Sequence, residues 1–371
     1  MRILTVSNCR LTLHEGSGQV VLSFSQGLRD AGHTVDTFGP DSYAFAGWME
    51  PRARSPRQVV GMLKFISRKL KSEKYDIIEI YGGEGWATFL WIKRFIVGRP
   101  MLVFHSNGVE PHVESVFRSI DMTGHPWWHI DQTAMMRRGF GAADYLVTVG
   151  NYDRDFVIRE KLLPPARVLT IHPGLNPVFL KQPIIEKNEQ VIGFCGTWMP
   201  RKGSSVIASA LPHVLRAHVS AKLLLVGVGK QFRKEEWFPA DVCNQIEVVP
   251  FVYDKPQLLD CYKRMQVSLM PSHYESFGLV AVEAMAAGVA LIANKTGIVA
   301  ELTHGKEAWI LEDNSADNLT AALLHLLAND DLRRHITYQG WKFAQHLTWE
   351  NASTQLESHY STWLRSFNGN F

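Results

Sequence analysis

A chain of 371 residues exceeds one ordinary domain, and its 46% apolar content suffices for two separate cores and excludes a disordered chain. A formal net charge of +3 is too small for nucleic acid to be a partner on composition alone. The balance is uneven, with 22 Lys and Arg against 17 Asp and Glu in residues 1–183 and 17 against 19 in the remainder. Cys9, Cys195, Cys243 and Cys261 lie far apart with no CxxC pair, which reads as buried thiols in a reducing compartment rather than disulfides or a zinc site. The opening "MRILTVSN" is too short for the apolar region of a signal peptide. The most apolar run, Leu279 to Ala293, contains Glu283 and is shorter than the ~20 residues of a membrane span. The expectation is a soluble, cytoplasmic protein.

Along the chain, short β-branched or apolar runs alternate with amphipathic helical patterns. "RILTVS", "TVDTFG", "DIIEIY", "MLVFHS", "YLVTVG" and "RVLTIHP" read as strands of a first series. "VIGFCG", "AKLLLVG", "IEVVPF", "VSLMPS", "ALIANK" and "AWILE" form a second. Strand–helix alternation means βαβ units and parallel sheets covered on both faces, so two doubly wound domains are expected. The join is placed in "NPVFLKQPIIEKNEQ", giving domains 1–180 and 188–350. The tail is helical over about 350–371, with Thr348 as N-cap and Trp349, Leu356, Tyr360, Trp363 and Leu364 on one stripe.

Chemistry concentrates in "PSHYESFGLVAVEAMAAG", Pro271 to Gly288. If "VSLMPS" is a strand, "HYESFG" leaves its carboxyl end, where open parallel sheets bind ligands. A helix then starts near Gly278 and stops at Gly288, the usual left-handed terminal position. The N–H groups of Phe277, Gly278 and Leu279 and the helix dipole favour an anion, and glycine admits close backbone approach. Glu275 and Glu283 beside an anion site make sense for a ligand with hydroxyls on both sides of a diphosphate, as in a nucleotide-sugar. Glu283 would take the ribose diol and Glu275 the sugar. The bland alternative is a buried amphipathic helix with a solvated Glu283. In "GTWMPRKGSS", Lys202 is positioned to neutralise a diphosphate, although a surface lysine is more often merely solvated. Gly16, Ser17 and Gly18 form a glycine turn that opens the first helix, a weak signal by itself.

These segments, with "AGHTVDTF", "ADYLVTVG", "LTIHPGLNPVF", "LLLVGVG" and "TWENASTQ", resemble the family-4 retaining glycosyltransferases of GT-B fold nearly from end to end. The Glu-x7-Glu segment is the most specific of them. The resemblance implies two Rossmann-like domains facing each other across a cleft, with the C-terminal helix returning to the acceptor-side N-terminal domain. It implies that Glu275 contacts the donor sugar, Glu283 the ribose, and Ser276, Phe277, Gly278 and Leu279 the sugar and diphosphate through their backbone. Lys202 matches the phosphate lysine, and Gly16 to Gly18 the turn beside the phosphate. The base is expected near Val252 and Tyr253 of "VVPFVYDK".

Three departures stand out. Thr197 replaces the arginine usual after the glycine of "GTWMPRKG", so Arg201 or, less favoured, Lys230 must supply that charge. "GIVAEL" keeps Gly297 and Glu301 without the usual proline and second glycine. In "VFHSNGVE" either His105 or Asn107 occupies the slot that touches the sugar, although a lone histidine at a strand end is more often structural.

The implied reaction moves a hexose, with UDP-glucose favoured, from a nucleotide-sugar to a saccharide or lipid-linked acceptor, keeping the α configuration. The family's same-face substitution lets the leaving phosphate deprotonate the acceptor, so no cofactor and no metal is expected. "DRD" at Asp153–Asp155 reads as a helix start, and His125 and His129 lack a third ligand. Trp127 and Trp128 are candidates to stack on acceptor sugars or to pack on a neighbouring helix. The basic stretch from Pro51 reads first as an amphipathic core helix and second as a contact for anionic membrane. Rivals are an NAD(P)-dependent oxidoreductase, whose G-x-G-x-x-G is missing from "GSGQVV" and "GVGKQF", a nucleotide-sugar epimerase on the same fold, and a non-catalytic sugar-binding relic.

Overall fold

The computed structural model describes residues 1–13, 16–43, 54–120, 129–187 and 189–368. It divides into two compact units, Met1–Gly174 with Trp349–Phe371, and Leu175–Thr348.

The first unit is built on six parallel strands: β1 (Arg2–Ser7), β2 (Thr34–Phe38), β3 (Ile77–Tyr81), β4 (Met101–Ser106), β5 (Tyr145–Thr148) and β6 (Val168–Thr170). They run in the order β2-β1-β3-β4-β5-β6. The connecting helices are α1 (Gly16–Asp30), α2 (Arg54–Ser72), α3 (Trp86–Phe95), α4 (Glu110–Ser119), α5 (His129–Ala142) and α6 (Asn151–Arg159). The period of two along each strand separates two layers. Leu4, Val6, Ile78, Ile80, Leu102 and Phe104 join Met62, Ile66, Phe89, Ile92 and Phe140 in one apolar core. Thr5, Glu79 and His105 alternate with these and share a buried hydrogen-bond network with Tyr360.

The second unit repeats the plan with β7 (Val191–Cys195), β8 (Lys222–Val226), β9 (Ile246–Val249), β10 (Val267–Met270), β11 (Ala290–Ala293) and β12 (Trp309–Ile310). Its helices are α7 (Ser204–Ala217), α8 (Lys255–Arg264), α9 (Leu279–Ala286), α10 (Ala316–Ala328) and α11 (Asp330–Ala344). The order is β12-β11-β10-β7-β8-β9, all parallel, so the strand order reverses between β7 and β10. Ile192, Phe194, Leu223, Leu225, Val267, Leu269 and Ile292 face Ile207, Leu211, Val214, Leu323 and Leu326 in a continuous core. Each such side chain taken from water contributes roughly 1.5–3 kcal/mol.

All twelve strands expected from the sequence are present. Residues 175–180, expected in the first domain, belong to the second unit. Phe179 is fully buried with its ring 6.0 Å from that of Tyr262, and Leu175 N–H donates to the Leu347 carbonyl at 2.9 Å.

The chain returns to the first unit as α12 (Trp349–Asn368). Trp349 meets Phe24 edge-on at 5.3 Å, and Trp363 stacks on Tyr145 at 3.9 Å. A Cβ on Gly27 would fall 2.0 Å from Ser353 Oγ, so the close approach of α1 and α12 at that point depends on the missing side chain.

Candidate active site

In an open parallel sheet the two strands at the point of order reversal diverge at their carboxyl ends, and ligands bind there. In the second unit these are β7 and β10, and the loops leaving them carry the Arg201–Lys202 and Glu275 segments.

The two loops are joined at several points. His273 N–H donates to the Arg201 carbonyl at 2.9 Å, and Arg201 Nη1 donates to the Tyr274 carbonyl at 3.0 Å. Gly203, at φ +76°, begins α7 where a Cβ would lie 2.1 Å from the Pro271 carbonyl oxygen. Asn314 Nδ2 donates to that same carbonyl at 2.9 Å, and Asn294 Nδ2 to the Ser272 carbonyl at 3.0 Å. The turn's own carbonyls are therefore held by side-chain donors from segments far apart in sequence, Arg201, Asn294 and Asn314.

On this frame Lys202 Nζ donates to Glu275 Oε1 at 2.6 Å, while Arg201 Nη1 lies 3.8 Å from Glu275 Oε2. Glu275 is 7% exposed, and its N–H donates to Thr296 Oγ1 at 2.8 Å. Gly278 takes φ +90° and ψ +57° immediately before α9, a conformation costly for any other residue. Gly288 closes the helix at φ +70°, as the sequence suggested, and its N–H donates to Met285. Gly297 sits so close to the turn that a Cβ would be 2.4 Å from the Phe277 carbonyl, which already accepts from Ile298 N–H at 2.7 Å. The starts of α7 and α9 both lie at this edge, where helix N–H groups lack partners within their own helix.

Glu283 is 5% exposed on α9. Lys255 Nζ donates to its Oε1 at 2.9 Å, and the Tyr262 hydroxyl to its Oε2 at 3.3 Å. Burial, with Cys195 and Glu283 nearby, raises the Tyr262 hydroxyl well above the ordinary tyrosine range. Burial likewise pushes the Cys195 thiol up to about 12, so it stays neutral and unreactive. Neither Lys255 nor Tyr262 was apparent from the sequence. Val252 and Tyr253 lie between β9 and α8, with Tyr253 60% exposed and its ring 4.0 Å from that of Phe251.

The first unit reverses strand order between β1 and β3. Gly18 is buried where a Cβ would meet the Arg10 carbonyl at 2.3 Å, and Asn107 Nδ2 donates to the Ser17 carbonyl at 3.4 Å. The Gly16–Ser17–Gly18 turn and Asn107 are thus together on one sheet edge. Beside them Asn8 Nδ2 donates to Glu84 Oε2, and Gly83 N–H to Glu110 Oε1, both at 2.7 Å. Burial and the Glu84 charge push the Glu110 carboxyl up to about 8.

His105 lies within the sheet and is bonded inside the first unit. It pairs in register with Tyr81 inside the sheet, is 3% exposed, and stacks on the Tyr81 ring at 4.4 Å. Its Nε2 is 2.6 Å from the Tyr360 hydroxyl and 3.5 Å from Glu79 Oε1. Burial raises the Glu79 carboxyl, but hydrogen bonds and charge from His105, then hydrogen bonds from Tyr360 and Thr5, bring it below its usual value. Asp153, on α6, is fully buried and paired with His112 at 2.8 Å. His125, Trp127 and Trp128 lie outside the described residues. No group of three His, Cys, Asp or Glu able to hold a metal ion occurs among the described residues.

A model of "Glycosyltransferase Family 4" matches residues 14–179, and one of "Glycosyl transferases group 1" matches residues 177–343. The chain belongs to the family-4 glycosyltransferases. It is 30% identical over 188 residues to a D-inositol 3-phosphate glycosyltransferase of Segniliparus rotundus, covering 49% of this chain and 42% of that one. It is 24% identical over 391 residues to a phosphatidyl-myo-inositol mannosyltransferase of Mycolicibacterium smegmatis, covering 98% and 94%. The chain spans about half the length of most of the curated relatives it matches. The chain also superposes on sucrose-phosphate synthase of Thermosynechococcus elongatus with a TM-score of 0.79 at 16% identity, covering 98% and 99%. The Anabaena protein HepE, solved with UDP, follows at 0.70 and 16%, covering 98% and 100%. These neighbours share the GT-B fold.

Proposed function

We propose that this glycosyltransferase moves a hexose from a nucleoside-diphosphate sugar to a hydroxyl of a saccharide or lipid-linked saccharide, with retention of the α configuration. The observation that carries the reading is the Lys202–Glu275 pair at the strand-order reversal, flanked by the starts of α7 and α9. A diphosphate entering there takes Lys202 and the helix N–H groups, which releases Glu275 to accept from sugar hydroxyls. Glu283, already oriented by Lys255 and Tyr262, keeps acceptor capacity for the ribose diol. Lys202 then stabilises the charge that develops on the departing diphosphate, and the leaving oxygen accepts the acceptor's proton on the same face. Arg201 adds positive charge at the site, although its Nη1 is already committed to Tyr274. With these cations in place the reaction requires no metal ion or other cofactor.

UDP-glucose is the favoured donor, with the base at Val252 and Tyr253; the UDP carried by the fold neighbour HepE supports it. The full-length match to a mannosyltransferase favours a second reading, mannosyl transfer. A thermal-shift and hydrolysis screen of UDP-, GDP- and ADP-sugars, with and without chelator, tests both. One nucleoside diphosphate should stabilise strongly and chelator should change nothing. A requirement for magnesium or manganese would refute the electrostatic account.

Contact with an anionic membrane belongs to the same proposal. Lys64, Arg68 and Lys71 are exposed on α2, and Lys93 and Arg94 on α3. At the end of α3, next to Lys93 and Arg94, Phe95 is 65% and Val97 fully exposed, a mixture suited to an anionic lipid surface. No described helix is long and apolar enough to cross a membrane. Salt-sensitive flotation with anionic liposomes is the expected result, and its absence removes this part of the proposal.

A further inference from the structure

Within the second unit, the loops leaving β7 and β8 run backbone to backbone, with a Cβ on Gly227 only 3.6 Å from Gly196 N. Beyond that contact they enclose a pocket of about 520 Å³ lined by Trp198, Lys230, Gln231, Phe232, Glu236 and Trp237, among others. Trp198 is the hub of an edge-to-face cluster, 5.1 Å from Phe232 and 5.5 Å from each of Phe194 and Trp237. Its indole Nε1–H is buried without a hydrogen-bond partner. Trp237 is 39% exposed, so part of its ring faces solvent at the pocket.

The lining has a definite chemistry. An exposed indole offers a flat surface to the C–H face of a pyranose. Lys230, Gln231 and Glu236, all exposed, supply donors and acceptors at the rim. One lysine against one glutamate leaves the rim close to neutral, which suits an uncharged polyhydroxylated ring and not a phosphate. The pocket lies at the carboxyl ends of the strands, and Trp198 precedes Lys202 on the same loop.

We propose that this pocket is a saccharide subsite of the donor-side unit, holding one neutral hexose ring on Trp237 with its hydroxyls on Gln231, Glu236 and Lys230. The choice of ligand class rests on the transferase reading. The geometry itself does not involve Glu275 or Glu283. The hexose belongs to an acceptor or product chain and not to the donor, and the test separates the two sources.

Neutral trisaccharides (maltotriose, mannotriose and a galactotriose) are titrated into the full chain by saturation-transfer NMR and tryptophan fluorescence. Wild type, Trp237→Ala, Trp237→Phe and Gln231→Ala are compared, with and without UDP and GDP and their hexose conjugates. Saturable binding of at least one trisaccharide, weakened roughly tenfold by Trp237→Ala and by less than about twofold in Trp237→Phe, is the expected result. Nucleotide-induced thermal shifts should be equal in all four proteins, and nucleotide-sugars should not displace the trisaccharide. Absence of saturable binding by wild type overturns the proposal. So does equal binding by Trp237→Ala, or displacement by a nucleotide-sugar, which would put the hexose in the donor site. If Trp237→Ala fails to fold, Gln231→Ala carries the comparison, and binding unchanged from wild type counts against the subsite. Failure of the transferase reading shows separately, as absence of donor hydrolysis by wild type.

Discussion

Lys202 Nζ stands 2.6 Å from Glu275 Oε1, joining residues 73 apart in sequence across neighbouring strands β7 and β10. The pair is self-neutralising without ligand, and a diphosphate must compete with Glu275 for the ammonium. Lys202→Met should therefore lower kcat by roughly 10²–10³, the range for loss of one group stabilising a developing anion. It should also lower Tm, because a nearly buried carboxylate loses its partner. Adding Glu275→Gln should restore Tm without restoring turnover; recovery of both would show that the pair is only structural.

Glu283 is held from two sides, by Lys255 and Tyr262, and the proposed function gives it a binding role and not a chemical one. Glu283→Gln should raise donor KM about tenfold, roughly 1.4 kcal/mol, with kcat little changed. Tyr262→Phe should move KM in the same direction by less. Steady-state kinetics with the donor identified by the screen provide the check.

Gly203 is where the two site loops touch. Gly203→Ala meets both a positive φ and the Pro271 carbonyl at 2.1 Å, and should cost about 1–3 kcal/mol or more. Thermal unfolding measures the loss, and donor affinity should fall with it because Lys202 is the adjacent residue. Gly305→Ala, also at positive φ but with open space around its Cβ, should cost less.

Removing one member of the Glu79–His105–Tyr360 network should act on stability before catalysis. His105→Gln should cost about 3–5 kcal/mol, as expected when a buried charge loses its partner. The nucleotide-induced thermal shift should survive in that variant. Because Glu79 has a folded pKa below its unfolded value, its contribution is present at neutral pH and is lost as pH falls through the folded pKa. The Tm difference between wild type and Glu79→Gln should accordingly shrink on acidification.

Glu110 has the opposite sign. Its carboxyl is raised to about 8, so the folded state holds a proton that the unfolded state releases near 4.5. Stability assigned to this group is intact below the unfolded pKa and lost as pH climbs toward 8. Glu110→Gln should be close to neutral in Tm at pH 5 and relatively stabilising at pH 8 and above. Parallel unfolding curves across that interval decide it.

Strand positions were legible because each run is β-branched, short and bounded by glycine or a helical pattern. The order of strands was not, since β10 pairs with β7 rather than with the preceding β9, and no local pattern encodes that. The Glu275–Glu283 segment could be read because its glycines and carboxylates are contiguous. Lys255 and Tyr262 could not, because their tie to Glu283 spans 28 and 21 residues and depends on α8 lying beside α9. The partner of His105 was hidden for a related reason. As the fifth of six residues in β4, His105 points sideways to Tyr360, 255 residues away, instead of beyond the strand end. Asn107, two residues later, is the one that reaches the glycine turn.

The crossing of α12 back to the first unit has a consequence for biosynthesis. During translation, Thr5, Glu79 and His105 emerge early, yet Tyr360 is added only after every residue of the second unit has been made. Until Tyr360 is made, the first unit holds the Glu79 carboxylate without its hydroxyl partner, so synthesis of the whole second unit precedes closure of the first.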